Sequence, residues 1–325
     1  MSPLRTSAMI ASIAPEGART VAAPFGHALV ALAAGRPEIV GMTADLARYT
    51  DLHIFAEAHP DRFYQMGMAE QLLFGAAAGL AREGFVPFAT TYGVFASRRA
   101  YDFIYMAIAE ERLDVKIACA LPGLTTGYGP SHQATDDLAI FRSVPGLVVI
   151  DPCDALEIEQ ATAAIAAHRG PVYMRLLRGK VPLVLDRYDY RFELGRAAEL
   201  RPGNDVLFVS TGLLTMRALE AAERLEADGI GAAVLHVSTI KPLDTQTILD
   251  AVGASGRLVV VAENHSVIGG LGEAVAAALL SQGVRCDFRH IGLPDAFLDA
   301  GALPTLHDRY GISTDAIVAR VKSWL

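Results

Sequence analysis

The chain of 325 residues lacks three features that would each define a class of protein. It has no dense run of lysine and arginine, and its net charge of -8 argues against a general nucleic-acid binder, because affinity for phosphate backbone comes from those residues. No apolar run approaches the roughly 18 residues that cross a membrane. The first 20 residues lack a charged stretch followed by a long apolar one, so no signal peptide is predicted.

Cysteine is also scarce. Cys119, Cys153 and Cys286 are far apart and form no CxxC pair. This spacing argues against a zinc site and against a disulfide framework, and it favours a reducing cytoplasm.

Apolar residues, by contrast, are abundant: 52% of the chain is hydrophobic and 20% is charged. This composition excludes a disordered chain and predicts a large buried core. The length predicts two domains. Some of the apolar surface is expected to be buried against other subunits.

Residues 21–182 alternate short apolar runs with longer Ala-rich or amphipathic ones. Strands are predicted over 37–43, 85–91, 116–120 and 147–150. Helices are predicted between and after them, over 24–35, 70–83, 95–111, 134–142 and 154–169. Such alternation predicts a parallel sheet with helices on both faces.

Residues 183–204 break this pattern and are interpreted as a linker that holds a short hairpin. The alternation restarts over 205–325. Strands are predicted over 206–210, 232–237, 258–262 and 285–291, with helices over 214–228, 244–252 and 314–324 and another after glycines 269–272. The predicted fold is therefore α/β, with two doubly wound domains of mostly parallel sheets that follow an N-terminal extension of residues 1–20.

The segment 66–81 carries the strongest functional signal. From Leu72 to Ala81 no side chain is polar, and a helix that is apolar all round is buried on all sides. Glu70 stands at the start of this helix and is predicted to be carried into the interior. Burial raises the pKa of a carboxyl group, which can then donate a proton to a ring nitrogen. The alternative is a solvated surface glutamate, which is the usual case.

Three further groups are candidates for binding. Tyr92 and Phe95 follow a predicted strand three residues apart and can form a platform for a heterocycle, or pack in the core. His132 lies in the glycine-rich loop 123–133 and can act as an acid, a base or a hydroxyl-binding group, or have no role. Arg175 and Arg178 end a strand and suit phosphate or carboxylate, or form a solvated basic edge.

Together these segments resemble the C-terminal half of transketolase, the pyrimidine-binding domain of thiamine diphosphate enzymes followed by the transketolase C-terminal domain. The resemblance runs from about residue 20 to the end, and deoxyxylulose-phosphate synthase is similar over the same stretch. Its motifs are TADL (43–46), RFYQMGMAEQ (62–71), TTYGVFASR (90–98), GYGPSHQ (127–133), SVPGLVVIDPCD (143–154), RLLRGKVP (175–182), KPLD (241–244), ENHSVIGGLGEAV (263–275) and YGIS (310–313).

The resemblance implies a cofactor and a partner. The family's N-terminal domain binds Mg²⁺ and the diphosphate through a GDG motif and a downstream asparagine, which this sequence lacks. The chain is therefore expected to be the C-terminal subunit of a split transketolase that uses thiamine diphosphate. A separate N-terminal subunit would hold the divalent cation, in an α2β2 assembly. No metal ligand is predicted on this chain.

The resemblance also implies roles for the cofactor-binding residues. Glu70 matches the catalytic glutamate that contacts N1′ of the aminopyrimidine ring. Tyr92 and Phe95 match the two aromatic residues beside that ring. Asp45 and Leu46 match a neighbouring cofactor contact.

On the substrate side, His132 matches a histidine that binds sugar hydroxyls and Arg178 an arginine that holds the sugar phosphate; Arg175 is assigned to the substrate with it. Tyr128 stands where the family usually has aspartate. Arg98, assigned to the cofactor, aligns with a third aromatic residue of transketolase. These departures weaken the case for an ordinary pentose phosphate and predict a deoxy, branched or sulfonated sugar.

Two alternatives remain open. The β subunit of a 2-oxo acid dehydrogenase shares both domains, but it usually has paired histidines where this chain has Ser131-His132-Gln133. A non-catalytic scaffold subunit would have no use for Glu70, because an unpaired buried carboxyl group costs several kcal/mol.

Overall fold

The computed structural model describes residues 13, 14, 17–253 and 256–325. Most of the predicted N-terminal extension, residues 1–20, lies outside the described residues. Among those described, no helix combines the length and the apolar character needed to cross a membrane.

The first part of the chain alternates strands and helices as its apolar runs predict. Its elements are β1 (Thr20–Ala22), α1 (Pro24–Ala33), β2 (Ile39–Thr43), α2 (His53–Ala58), β3 (Phe63–Gln65), α3 (Glu70–Arg82), β4 (Val86–Tyr92), α4 (Gly93–Arg99), β5 (Lys116–Ala120), α5 (Asp137–Arg142), β6 (Val148–Ile150), α6 (Ala155–Ala167), β7 (Val172–Leu176) and β8 (Lys180–Pro182). A 3₁₀ turn at Ala47–Tyr49 and a π-helical segment at Phe103–Ala109 complete the part that shapes the site.

The second part repeats the alternation. Its elements are β9 (Ala198–Arg201), β10 (Val206–Ser210), α7 (Leu213–Ala227), β11 (Ala232–His236), β12 (Thr239–Lys241), α8 (Thr245–Gly253), β13 (Leu258–Ser266), α9 (Leu271–Ser281), β14 (Phe288–Leu293), α10 (Leu303–Arg309) and α11 (Thr314–Trp324).

Two sheets organise these elements. A seven-stranded sheet has the order β12-β6-β7-β5-β4-β2-β3, and only its edge strand β12 is antiparallel to its neighbour. A five-stranded sheet has the order β14-β13-β10-β11-β9, again with one antiparallel edge, β9. Every residue of β2, β4 and β5 is buried, as expected for parallel strands covered by helices on both faces. The predicted fold of two doubly wound domains is confirmed.

The predicted hairpin within residues 183–204 is wrong. The structure describes this whole segment, and its single strand β9 pairs with β11 of the second sheet rather than with a strand of the segment. The preceding strand β8 pairs with β1. The segment is held against the second domain instead, where the Ala197 amide donates to Asp244 Oδ2 at 3.0 Å.

The predicted helix over 95–111 is broken. Helix α4 ends at Arg99, because Ala100 leaves helical geometry with φ -115°, and a π-helical segment follows at Phe103–Ala109. The predicted domain limits 21–182, 183–204 and 205–325 stay a prediction. Strand β12, although it follows residue 205, completes the edge of the first sheet.

Candidate active site

The candidate residues gather at the carboxyl ends of four parallel strands of the first domain, a region that we call the cleft. Strands β2, β4, β5 and β7 are neighbours in the sheet, and all run the same way. Ligands of doubly wound sheets bind outside these strand ends. The segments that follow the four strands contain most of the candidate residues.

Glu70 is the first residue of α3 and is only 2% exposed. Its position at the helix N-terminus favours a negative charge, because the helix dipole is positive there. Leu73, Phe74 and Ala77 carry the inner face of the helix into the core of the domain. The prediction that Glu70 is drawn out of solvent is confirmed.

Arg99 contacts Glu70, and the sequence reasoning missed it. Its Nη1 donates to both carboxylate oxygens of Glu70, at 3.2 and 3.3 Å. Its Cζ lies 4.0 Å from the ring centroid of Phe95. Phe95 and Arg99 are four residues apart on α4, a spacing that places two side chains on one helical face. That spacing was the signal in the sequence that Arg99 lies beside Phe95.

Aromatic rings line the cleft next to this contact. The centroids of Tyr92 and Phe95 lie 5.6 Å apart, and His132 lies 6.0 Å from the first and 5.5 Å from the second. The ring of Tyr128 lies 5.3 Å from His132. The structure therefore brings together four residues that the sequence predicted for the site.

His132 is half-buried, and its surroundings favour the neutral form of its ring. Burial lowers its pKa, and the positive charge of Arg99 lowers it further. One ring nitrogen, Nδ1, lies 2.9 Å from Ser131 Oγ, which can fix the orientation of the ring. A neutral imidazole can accept one hydrogen bond and donate another, as hydroxyl recognition requires.

Arg178 and two tyrosines form the cationic side of the cleft. The Cζ of Arg178 lies 5.6 Å from the ring of Tyr49 and 5.9 Å from that of Tyr92. Its charge opposes the rise that burial causes in the pKa of Tyr92 and of Tyr128. The hydroxyl of Tyr128 is buried without a hydrogen-bond partner among the described residues. A ligand group is expected to satisfy it, because buried polar atoms are normally paired.

Tyr49 is the second residue that the sequence reasoning missed. It closes the 3₁₀ turn after β2, and its ring lies 6.5 Å from that of Tyr92. Leu46, the residue before that turn, packs like Phe95 against the buried cluster that contains Tyr92. Asp45 is exposed, with φ +59°, and its amide donates to Gln65 Oε1 at 2.7 Å. Leu46 thus lies beside the aromatic pair, and Asp45 faces solvent next to it.

Arg98 lies at the cleft but has other partners. Its guanidinium pairs with Asp136 at 2.8 Å and donates to the carbonyl oxygens of Pro130 and Gln133. These bonds tie α4 to the loop that presents His132. This geometry does not support the predicted cofactor contact. Arg98 instead stabilises the loop through these bonds.

Arg175 lies outside the cleft, contrary to the prediction that it binds substrate. It is 1% exposed, and its guanidinium pairs with Asp137 and with Asp151. Its Nη1 also donates to the Asn264 carbonyl oxygen in the second domain at 3.1 Å. An inward-facing position on β7 buries Arg175, whereas Arg178, past the strand end, reaches the cleft.

The second domain holds the loop 123–133 in place. The Gly301 amide donates to the Gly127 carbonyl oxygen at 3.0 Å, and a Cβ at Gly127 would lie 2.0 Å from the Gly301 carbonyl oxygen. Only glycine permits this approach. The Asn264 side chain accepts from the Leu124 amide at 2.9 Å. The loop that carries Tyr128 and His132 is therefore positioned by both domains.

The described residues contain one cluster of three potential metal ligands, and it belongs to the domain junction. Cys153, Glu157 and His236 are all buried. His236 already bonds Glu157 through Nε2 at 2.9 Å and Thr215 through Nδ1 at 2.8 Å. Because both ring nitrogens of His236 have protein partners, we interpret the cluster as a hydrogen-bonded contact between α6 and β11.

The outer face of α3 is exposed, so the expectation of a helix buried on all sides is wrong for the chain alone. Leu72 is 54% exposed, and Met68, just before the helix, is 82% exposed. Phe103 and Met106 of the π-helical segment are exposed nearby, and Phe103 Cδ1 would lie 3.7 Å from a Cβ at Gly75. This apolar face (Met68, Leu72, Phe103 and Met106) has the character of a subunit interface.

We expect Leu72→Glu to weaken self-association of the chain at least tenfold, because it would bury a charge in an apolar interface. Sedimentation or light scattering across a concentration series measures this. Leu280→Glu, at an exposed position on α9 of the second domain, is the matched control. Equal masses for Leu72→Glu and wild type at every concentration would contradict the assignment of the interface.

Two doubly wound domains and a buried glutamate near an aromatic pair define a class of protein. Its family is identified by the similarity of the sequence to known domains. Residues 18–184 match the family described as transketolase, pyrimidine binding domain, and residues 195–317 match transketolase, C-terminal domain. The chain belongs to the transketolase family.

Individual relatives agree with this assignment. A transketolase family protein of Sinorhizobium fredii, described as uncharacterized, is 71% identical over 323 residues, covering 99% of this chain and 94% of its own. The 6-deoxy-6-sulfo-D-fructose transketolase subunit SqwH of Clostridium sp. MSTE9 is 40% identical, covering 86% of each. A solved structure described as "Split gene transketolase, inactive beta4 tetramer" has 42% identity and a TM-score of 0.84, covering 93% of this chain and 96% of that one.

Proposed function

We propose that this chain is the C-terminal subunit of a two-subunit transketolase, which transfers a two-carbon ketol unit from a ketose to an aldose. The observation that carries the proposal is the buried carboxylate of Glu70, which Arg99 links to the ring of Phe95, the neighbour of Tyr92. Thiamine diphosphate, when bound, supplies the carbanion chemistry of such a transfer. The expected cytoplasmic location is part of the same proposal.

The residues of the cleft fit the aminopyrimidine end of that cofactor. The guanidinium of Arg99, a planar cation, lies over the ring of Phe95 and pairs with the Glu70 carboxylate, which supports a place for a flat cationic ring there. In the proposed site the carboxylate of Glu70 would hold or release the proton that faces the ring nitrogen, and Tyr92, Phe95 and Leu46 would exclude water there. A dry environment strengthens the hydrogen bond to the carboxylate.

The diphosphate and its divalent cation are assigned mainly to an N-terminal partner subunit. The cleft residues of this chain are aromatic, cationic or aliphatic apart from Glu70 and the exposed Asp45, whereas Mg²⁺ prefers oxygen ligands. The solved split-gene relative is described as inactive in its β4 form. Both points support an enzyme completed by a second polypeptide, with the apolar face around Leu72 in an interface.

The substrate side favours an anionic and modified sugar. Arg178 supplies a cation, His132 a neutral ring for a hydroxyl, and Tyr128 an unsatisfied hydroxyl where the family usually has a carboxylate. One relative is a subunit of a 6-deoxy-6-sulfo-D-fructose transketolase. We extend the proposal to a deoxy, branched or sulfonated donor or acceptor.

Turnover with and without a partner tests the proposal. The purified chain with thiamine diphosphate and Mg²⁺ is expected to show no ketol transfer. Addition of an N-terminal subunit that carries the GDG motif is expected to restore it. Robust turnover by the chain alone would contradict the split architecture. If xylulose 5-phosphate and ribose 5-phosphate were the best substrate pair, the modified-sugar proposal would be wrong.

A further inference from the structure

Two site residues, Glu70 and Phe95, contact the guanidinium of Arg99. It donates to both carboxylate oxygens of Glu70 and lies 4.0 Å from the centroid of Phe95. Its charge also acts on His132, whose pKa burial has already lowered. Arg99 therefore lies over the ring that is proposed to stack on the cofactor, with half of its side chain exposed.

A guanidinium and a protonated aminopyrimidine share the features that this position recognises. Both are planar, both carry N–H donors in the plane, and both stack on aromatic faces. Arg99 already contacts both carboxylate oxygens of Glu70 and lies over the ring of Phe95, which are the groups that a cofactor ring would need. Arg99 and the cofactor ring thus compete for the carboxylate of Glu70 and the ring of Phe95, which together we call the aminopyrimidine site.

We propose that Arg99 occupies the aminopyrimidine site in the cofactor-free chain and must leave it before thiamine diphosphate binds. This inference rests on the proposed function. It makes Arg99 a built-in competitor that keeps the carboxylate of Glu70 paired until the cofactor arrives.

The unequal burial of the two partners supports the direction of the exchange. The side chain of Glu70 is 3% exposed and that of Arg99 is 50% exposed. A half-exposed guanidinium regains water readily when it swings outward, whereas an abandoned Glu70 carboxylate would stay buried without a partner. The exchange is therefore favourable only if an incoming group takes over the hydrogen bonds of Glu70.

Calorimetric titration of the purified chain with thiamine, which carries the aminopyrimidine without the diphosphate, tests the inference. Arg99→Met removes the charge and the planar guanidinium group. The variant chain is expected to bind thiamine about tenfold more tightly than wild type. Arg99→Lys keeps the charge without the planar fork, and its affinity is expected between the two. Arg82→Met, which removes an arginine from an ion pair on the surface of α3, is expected to match wild type.

The outcomes separate this inference from the proposed function. Equal or weaker thiamine binding by Arg99→Met than by wild type, or no measurable binding by either, would overturn the competitor role. Glu70→Gln in the Arg99→Met background is expected to abolish the gain. Thiamine binding that is indifferent to Glu70→Gln would instead count against the proposed cofactor site itself. Melting temperatures of all variants establish that each chain is folded.

Discussion

Glu70→Gln is expected to reduce ketol transfer by the assembled enzyme by about a hundredfold to ten-thousandfold, the range for loss of a positioned acid or base. The glutamine has nearly the same shape and remains in the buried position at the start of α3. It cannot exchange a proton with the cofactor ring. Steady-state rates at saturating thiamine diphosphate and substrate measure the loss as a fall in kcat.

The matched control is Glu83→Gln, at the opposite and exposed end of the same helix. It makes the same chemical change and is expected to leave kcat unaltered. Assembly with the partner, followed by size-exclusion chromatography, shows whether Glu70→Gln keeps its quaternary structure. A kcat for Glu70→Gln within threefold of wild type would contradict the role of Glu70 and favour a scaffold.

Arg175→Met is expected to destabilise the chain by about 3–5 kcal/mol, as is typical when one partner of a buried ion pair is removed. Asp137 and Asp151 are both buried and would lose their only arginine partner among the described residues. The bond from Arg175 to the Asn264 carbonyl oxygen, which links the two domains, would be lost as well. Denaturant unfolding followed by circular dichroism measures the change in free energy.

The loss in Arg175→Met should grow with pH. Burial raises the pKa of Asp151 to about 6, even with Arg175 opposing it. Burial also pushes the pKa of Asp137 upward, but Arg175 more than offsets this and holds it below its ordinary value. Without Arg175, burial would raise the pKa of both carboxyl groups, and each would ionise at a larger cost in the folded chain as the pH rises. Because the pKa of Asp151 is already about 6, the variant should lose more stability at pH 8 than at pH 5.

Arg224→Met provides the comparison for Arg175. Arg224 is about half exposed and pairs with Glu220 and Asp315 on the surface. Surface ion pairs contribute about 0–1 kcal/mol, so its removal should change stability little. If Arg175→Met were as stable as Arg224→Met at pH 8, the buried network would not be what joins the domains.

The strands of both domains could be predicted because parallel strands covered on both faces must be continuously apolar. Residues 116–120 and 206–210 are strands with the predicted limits. The burial of Glu70 also followed from sequence, since it opens a helix with a long apolar run. Tyr92, Phe95 and His132 were predicted because they follow strand ends, where ligand sites form.

The sequence alone determined that the chain is an α/β protein of two doubly wound domains with a buried carboxyl group at the start of a helix. Tertiary structure alone decided which of two arginines three residues apart faces the cleft, because Arg175 is on a buried strand and Arg178 is beyond its end. It also decided that Arg99 contacts Glu70, 29 residues away in the chain. Apolar periodicity reports burial within one element, whereas pairings between elements depend on how the elements pack, and no local pattern encodes that.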